Sequence, residues 1–539
     1  MSFVATILDR ARTVGARPVL FEVHGADLVP TSGEVLLDGV ARARRFLRDA
    51  GVRVGDRIAL LGPNSSLWVT LDLAILSEGA IGVPLYARQA PTELAGMLRD
   101  AAPAALIAAD AVLAAAVAAA WPEHAPIARY DEVFACAPLV EAPTALEPGA
   151  TVTLIYTSGT SGEPKGVMLT AGNVEYMLGV TVARLAAMSG AGRAQDRVFH
   201  YLPFCFAGSR IMLWSQLHRG NPLMMSSDLT RLQEEMATAA PHYMLNVPAL
   251  LERIRAGVDK KIAERGGAVA ALYARAIAAN EGRASGFAGA AALALGRAFV
   301  FPRIAGLIGA NLEFLACGSA ALSEGTQRWF QAIGIPVYQI YGLTETTAIV
   351  TIDDVTNVQP GRVGHAIDGC EIRVGDGGEL LCRGPNLFAG YWRRPDATAE
   401  MLRDGWLHTG DQVDIDATGS VKIIGRVKDV LVPESGHNVA PLPIEERLVG
   451  ASPVVDQAVV VGHGRPYLVA IVTGAADAAE LDRVREAVNA QLPHYQRVRR
   501  LWRAPEPFTV ENGLLTANQK LRRRAIEAHY RDAVEALYT

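Results

Sequence analysis

The run Tyr156-Thr157-Ser158-Gly159-Thr160-Ser161-Gly162-Glu163-Pro164-Lys165-Gly166 constrains this chain more than any other part of it. An apolar β-run, Thr151-Val152-Thr153-Leu154-Ile155-Tyr156, leads into it, and Val167-Met168-Leu169 leads out. The segment therefore reads as strand, loop, strand. Glycines let a backbone approach a ligand closely and adopt positive φ. Consecutive N–H groups and the hydroxyls of Thr157, Ser158 and Thr160 then offer donors to phosphate oxygens, and Lys165 adds a positive charge. It is not a Walker A loop, because the lysine follows a proline and precedes a glycine, and a strand comes next where that motif opens a helix. On composition alone, a flexible hairpin linker satisfies the same run.

The flanking sequence sets the class. Short apolar runs such as Arg57-Ile58-Ala59-Leu60-Leu61 and Ile81-Gly82-Val83-Pro84-Leu85 alternate with longer helical patterns such as 67–79. That alternation predicts parallel α/β layers. The segment 140–149 carries Pro143 and Pro148 and reads as a loop. After about residue 360 the pattern changes. Glu371-Ile372-Arg373-Val374, a glycine turn and Glu379-Leu380-Leu381-Cys382 predict a hairpin. The last stretch predicts a small α+β module, with strands at 457–462 and 468–473, a helix at 477–491 and a closing helix from Asn518. The expected fold is α/β: a large multi-subdomain N-terminal region, 1–427, and a small mobile C-terminal α+β domain, 428–539. No repeat of 20–50 residues is present, which excludes a solenoid or propeller.

Composition removes several function classes. The formal net charge is −5, and no basic stripe offsets it, so nucleic acid is not the expected partner. Arg497, Arg499, Arg500 and Arg503 form one short basic cluster and Arg522, Arg523 and Arg524 another; both read as solvated faces. The five cysteines are odd in number and lack CxxC spacing, which fits a reducing compartment. The N-terminus lacks the pattern of a signal peptide. The alanine-rich stretch Ala104–Trp121, interrupted by Asp110, reads as a buried or half-buried helix and not as a membrane span. A cytoplasmic protein without stable membrane insertion is expected; the oligomeric state is left open.

Further motifs stand downstream of the loop in a fixed order. They are Tyr341-Gly342-Leu343-Thr344-Glu345-Thr346, His408-Thr409-Gly410-Asp411, Gly425-Arg426-Val427-Lys428-Asp429, Ser435-Gly436-His437-Asn438-Val439-Ala440-Pro441 and Asn512-Gly513-Leu514-Leu515-Thr516-Ala517-Asn518-Gln519-Lys520. With the loop, these six resemble the adenylate-forming (AMP-binding) superfamily over roughly 365 residues. That superfamily holds acyl-CoA synthetases, peptide-synthetase adenylation domains and luciferases. One departure is Ala517, where many long-chain members have proline.

The resemblance implies ATP and Mg²⁺ as cofactors and assigns roles. Activating a carboxylate with ATP sets one anion on another, so charge building on the α-phosphate must be neutralised. Lys520 is expected on the α-phosphate and the carboxylate, Thr344 on an α-phosphate oxygen, and Glu345 on Mg²⁺ through its carboxylate. The phosphate loop supplies Thr157, Ser158, Gly159, Thr160 and Lys165. Tyr341, Gly342 and the segment Gly318-Ser319-Ala320 are expected around the adenine. Asp411 is expected on the ribose hydroxyls, with Arg426 nearby. Lys428 corresponds to the hinge about which the small domain rotates after pyrophosphate leaves, bringing Gly436, His437 and Asn438 to the acyl-adenylate. Taken alone, these residues have other readings: a capping glutamate, a core tyrosine, an Asx turn after Gly410, a solvated linker lysine.

At the acyl end, Tyr201-Leu202-Pro203-Phe204-Cys205-Phe206 aligns with a family segment that usually ends in histidine, and Phe206 stands there instead. Phe206, Val247, Pro248 and Ile340 suggest an apolar pocket, with core packing the equal alternative. The region 299–323 resembles long-chain acyl-CoA synthetases, and no carrier-protein attachment region follows Thr539, so a stand-alone ligase is expected. The expected reaction activates a carboxylic acid as acyl-AMP and passes the acyl group to a thiol or amine acceptor, CoA as co-substrate being favoured. The alternative is an amide synthetase joining the acyl group to an amino acid, like the coronafacate ligases. A noncatalytic adenylate-binding protein is the reading from another class.

Overall fold

A computed structural model describes residues 2–158, 163–189, 195–226, 228–452, 454–516 and 520–539. Two layered sheets build the N-terminal region. A seven-stranded sheet has the order Gly390–Tyr391, Pro164–Thr170, Thr151–Ser158, Ile81–Leu85, Arg57–Leu61, Ala105–Ala108, Ile127–Arg129 among the described residues. Its central strands run parallel, as the alternation of apolar runs and helices predicts. The two strands flanking the glycine-rich loop pair antiparallel, with Thr157 opposite Lys165 and Ser158 opposite Pro164. A nine-stranded sheet packs beside it, with Phe314–Cys317 paired parallel to both Tyr243–Asn246 and Val337–Tyr341.

The helix Ser66–Ser77 lies between layers and is buried on almost every face, which is why its sequence is apolar all round. Asp72 is its exception. Its carboxylate takes the guanidinium of Arg210 and, at 3.0 Å, the Trp214 indole N–H. Arg210 also bonds the hydroxyl of Thr153. These contacts pin the helix Ala207–Arg219 to the strand that feeds the glycine-rich loop. Arg210→Ala would leave a buried carboxylate without its counter-charge, at about 3–5 kcal/mol.

The hairpin read at 371–382 is present, with Glu371 opposite Arg383 and Val374 opposite Leu380. It joins Trp406–Ile415 and Val421–Arg426 in a five-stranded sheet. Beyond it, Val455–Val461, Leu468–Gly474 and Val498–Arg503 form a small sheet with the helices Leu442–Gly450 and Ala478–Asn489. Two hydrophobic clusters whose buried members all lie within 439–534 serve this module alone.

Three expectations need correction. The closing helix begins at Arg523, not Asn518, and is interrupted at Tyr530; Asn518 itself lies outside the described residues. The stretch 104–121 is not one helix: its apolar start, where the strand–helix alternation returns at 103–108, is the buried strand Ala105–Ala108, and only Ala111–Ala120 is helical, with Val117 alone fully buried. Asp110, read as an interruption, is that helix's cap: its side chain accepts from Leu113 N. Among the described residues, one helix has the length and hydropathy of a membrane span: Gly286–Gly309.

Candidate active site

The two regions meet over a cavity of about 1710 Å³. Its polar wall gathers residues from four distant parts of the chain. The strand Val337–Tyr341 ends at Tyr341, whose hydroxyl donates to Asp411 Oδ2 at 2.6 Å. Asp411 is buried on the strand Trp406–Ile415, and its other oxygen takes Arg426 Nε at 2.7 Å. Arg426 is opposite Asp411 in the antiparallel register, so the sheet itself holds this pair together. Burial, then the carboxylate of Asp411, drive the Tyr341 hydroxyl far above its ordinary range, and it stays a donor.

The turn carrying Asp411 is braced from below. Glu379 accepts from Gly410 N at 2.8 Å and lies 2.9 Å from His408 Nδ1, while the Thr409 hydroxyl donates to Leu380 O at 2.7 Å. Gly410 has φ +69°, a conformation that favours glycine. Gly342 is required for another reason: a Cβ there would stand 2.1 Å from Ala348 O.

Glu345 lies in the 3₁₀ turn Thr344–Thr346 and is buried. Its Oε1 accepts the Tyr391 hydroxyl at 2.7 Å. The Lys165 ammonium stands 5.2 Å from the centre of the Tyr391 ring. Tyr391 thus links the lysine of the glycine-rich loop to the carboxylate of the Tyr341–Thr346 segment. Sequence reasoning passed over Tyr391 and Glu379. The run Phe388-Ala389-Gly390-Tyr391-Trp392, polar at neither end and rich in aromatics, was the available signal for the first.

Lys520 reaches the same wall from the terminal domain. It keeps contact with water, yet it stands in a crowded cleft within electrostatic range of Arg426, Asp411 and Glu345. Burial in the cleft and the Arg426 charge push its ammonium below the ordinary lysine range; Asp411 and Glu345 pull the other way. Its backbone is clamped: Lys520 N donates to Thr516 Oγ1 at 3.1 Å and Thr516 N donates to Lys520 O at 2.8 Å.

Thr157, Thr344, Gly318, Ser319 and Ala320 also line the cavity, and Lys428 lies at its margin in the exposed turn Val427–Asp429. Gly318 packs against strand backbone, since a Cβ there would meet Ile340 O at 3.2 Å. Gly159 and Thr160 lie outside the described residues; at Ser158 only the backbone is described, paired with Pro164. Beyond the polar wall is an apolar lobe formed by Phe206, Ile211, Met212, Leu245, Ile340 and Ile349. Phe206 caps the helix Ala207–Arg219 and lies against Tyr86, ring centres 6.0 Å apart.

One expected placement differs. Val247 is not on the cavity wall; it precedes the helix Pro248–Arg265, and its N–H donates to Tyr201 Oη at 3.3 Å. Gly436, His437 and Asn438 are exposed and outside the cavity. The His437 ring stacks on Tyr495 at 4.5 Å, a contact within the terminal domain.

No group of three or more His, Cys, Asp or Glu side chains suited to a metal occurs among the described residues. A single buried carboxylate, Glu345, is nevertheless what Mg²⁺ uses when phosphates and water supply its remaining oxygens. The residues present therefore fit Mg²⁺ carried on a nucleotide, and do not fit a metal held by protein alone.

A glycine-rich loop between two strands, a tyrosine–aspartate–arginine wall and a lysine from the small C-terminal domain mark a two-domain nucleotide-binding enzyme. The chain belongs to the AMP-binding enzyme family, whose sequence pattern matches residues 14–392; that of the AMP-binding enzyme C-terminal domain matches 428–539. The long-chain-fatty-acid–CoA ligase FadD15 of Mycobacterium bovis is 28% identical over 565 aligned positions, covering 93% of each chain. The chloroplastic long-chain-fatty-acid–[acyl-carrier-protein] ligase AEE15 of Arabidopsis thaliana is 25% identical, covering 92% of this chain and 80% of that one. Among solved structures, the anthranilate CoA ligase AuaEII in complex with anthranoyl-AMP superposes with a TM-score of 0.79 at 20% identity, covering 98% and 97% of the two chains. The A domain of the carboxylic acid reductase from Segniliparus rugosus gives 0.79 at 23% identity, covering 100% and 94%. At these identities the structures establish the fold.

Proposed function

We propose that this protein is an ATP-dependent, AMP-forming ligase that activates an apolar carboxylic acid and transfers it to the thiol of CoA. The observation that carries this reading is the convergence of Lys520, Arg426, Asp411 and Glu345 on one wall, directly beside the apolar lobe of Phe206, Leu245 and Ile340. A carboxylate whose chain fills that lobe presents its oxygens to the cationic end of the wall.

In the first half-reaction a carboxylate oxygen attacks the α-phosphorus of ATP. A P–O bond forms, the bond to the bridging oxygen breaks, and pyrophosphate leaves with its electron pair. Lys520 and Thr344 stabilise the charge on the α-phosphate oxygens, worth about 3–4 kcal/mol for one well-placed donor. Asp411 holds the ribose hydroxyls, with Tyr341 and Arg426 fixing the carboxylate in place. Tyr341, Gly342 and the Gly318–Ala320 segment frame the base. Thr157, Ser158, Gly159, Thr160 and Lys165 hold the outgoing phosphates. Glu345, oriented by Tyr391, would hold Mg²⁺, which supplies positive charge to the phosphates when bound.

In the second half-reaction the thiol sulfur attacks the acyl carbon, the C–O bond to AMP breaks, and the thiol proton passes to solvent. We assign residues 428–539 as a mobile domain turning about Lys428, which withdraws Lys520 and brings Gly436, His437 and Asn438 to the acyl-adenylate. Amide formation shares the first half-reaction. The thiol is preferred because the curated relatives named above carry CoA or an acyl carrier protein in their names. All five cysteines are free, which supports assignment to a reducing cytoplasm.

The test is an acceptor screen. Purified protein, ATP, Mg²⁺ and a graded series of fatty and aromatic acids are offered CoA and amino acids together, and products are read by mass spectrometry. Acyl-CoA with stoichiometric AMP is expected. An acyl-amino acid as the main product would replace the thiol reading, and absence of acid-dependent ATP–pyrophosphate exchange would remove the enzymatic one.

A further inference from the structure

Three helices, Pro248–Arg265, Gly267–Asn280 and Gly286–Gly309, fill the crossover between the parallel strands Tyr243–Asn246 and Phe314–Cys317. The last part, Gly286–Gly309, is one 24-residue helix with a π-helical turn at Gly296–Val300. Pro302 lacks an N–H and crowds the carbonyl a turn earlier, so the ladder takes up an extra residue just before it. The extra residue re-aims the second half of the helix and keeps one continuous stripe buried: Gly289, Ala292, Gly296, Val300, Ile304 and Ile308.

The opposite side breaks the usual rule for a surface helix. An ordinary helix of a water-soluble domain turns charged and polar residues outward. Here the outward side presents Phe287 at 92% exposure, Leu307 at 88%, Phe299 at 61% and Leu295 at 48%, with alanine and glycine between them. Not one acidic residue occurs from 286 to 309. The only charges are Arg297 and Arg303, both exposed and without an ion pair among the described residues. Exposed Arg275 on the preceding helix adds to the same sign.

We propose that the outward face of Gly286–Gly309 is a docking surface for an anionic lipid bilayer. The phenylalanines and leucines would enter the boundary between headgroups and acyl chains. The arginines would lay their stems along the same surface and keep their heads among the phosphates. Charge decides between a bilayer and a second copy of the chain. A two-fold contact through this face would set Arg297 and Arg303 of both copies together with no acid to answer them, whereas an anionic surface complements all of them. The helix lies in the interface and does not span, because its other stripe is committed to the protein core. The proposal does not depend on which acid or acceptor the site uses.

The test is flotation with lipid vesicles of phosphatidylcholine alone, and of two parts phosphatidylcholine to one part phosphatidylglycerol. The parent protein is expected to float with the anionic vesicles, less with the neutral ones, and less again at high salt. Phe287→Ser with Leu307→Ser should lower the partition coefficient roughly tenfold or more. Arg297→Gln with Arg303→Gln should remove most of the preference for anionic vesicles, roughly fivefold for each charge. Acid-dependent ATP–pyrophosphate exchange, measured without lipid on a water-soluble acid, should be retained by both variants, which separates lost docking from lost folding. Equal flotation of parent and both variants would overturn the proposal. So would a concentration-dependent dimer that both variants abolish, because the face would then belong to a second copy.

Discussion

The hydroxyl of Tyr391 donates to Glu345 at 2.7 Å inside the cavity wall, although Tyr391 stands on an edge strand of the seven-stranded sheet and Glu345 on the 3₁₀ turn Thr344–Thr346. The bond fixes which way the carboxylate faces, and its second oxygen has no hydrogen-bond partner among the described residues. Burial first, and then the charge of Glu345, raise the Tyr391 hydroxyl far above its usual range, so it stays protonated throughout the working range of pH.

Tyr391→Phe removes that bond and keeps the ring beneath Lys165. A hydrogen bond to a charged acceptor is worth about 1.5–3 kcal/mol, so exchange activity should fall by roughly ten- to a hundredfold. The Mg²⁺ concentration for half-maximal exchange should rise. Glu345→Gln should lose most activity, with partial recovery in excess Mg²⁺. A Tyr391→Phe enzyme whose metal dependence matches the parent would show that the tyrosine only packs.

Lys520 is expected to act while charged. Its ammonium is held below the ordinary lysine value of 10.5, so the charge is complete at low pH and is lost as pH rises through the lowered value. Exchange should therefore decline on an alkaline limb lying below 10.5, and Lys520→Arg should shift that limb upward out of range. Lys520→Ala should cut adenylation by about 10²–10³-fold while transfer from a supplied acyl-adenylate persists. Equal losses in both half-reactions would rule out this role.

Lys428→Pro tests the hinge. Proline fixes φ, and the exposed turn Val427–Asp429 should accept it with little loss of stability. ATP–pyrophosphate exchange should stay near the parent rate, while complete turnover slows severely; Lys428→Ala should be mild in both. Parental turnover by the proline variant would place the hinge elsewhere.

Gly208 lies on the first turn of the helix Ala207–Arg219 and lines the apolar lobe. A Cβ there meets only Leu245 Cδ2, at 4.0 Å, so a larger side chain has room to enter the lobe. Gly208→Leu should spare or slightly raise stability, since leucine favours a helix more than glycine by up to about 1 kcal/mol. Exchange with long acids should fall while short acids remain substrates. An unchanged chain-length profile, measured across the graded acid series, would place the acyl chain elsewhere.

Much of this arrangement was legible because glycines and chain order speak directly. The loop at 157–165 announced itself through residues that tolerate positive φ, and Tyr341, Glu345, Asp411, Arg426 and Lys520 meet on one wall although up to 179 positions separate them. What was illegible depended on contacts between residues of ordinary type. Nothing in a lone Tyr391 says that it will face Glu345, and nothing in Glu379 says that it will brace Gly410. Val247 failed for the opposite reason: an apolar residue at a strand end reads as pocket or core with equal ease, and only packing decides. Hydropathy misled in the same way. The alanines of 111–120 satisfy a helix without asking for burial, whereas Phe287 and Leu307 remain uncovered despite a stronger demand for it.

The clamp between Thr516 and Lys520 bears on timing. With N–H and carbonyl both tied to Thr516, the backbone of Lys520 is held to its own loop of the terminal domain. On the proposed rotation its charge would be delivered or withdrawn together with that loop. The displacement that ends adenylation would then also stop the reverse reaction and protect a newly made acyl-adenylate from pyrophosphate.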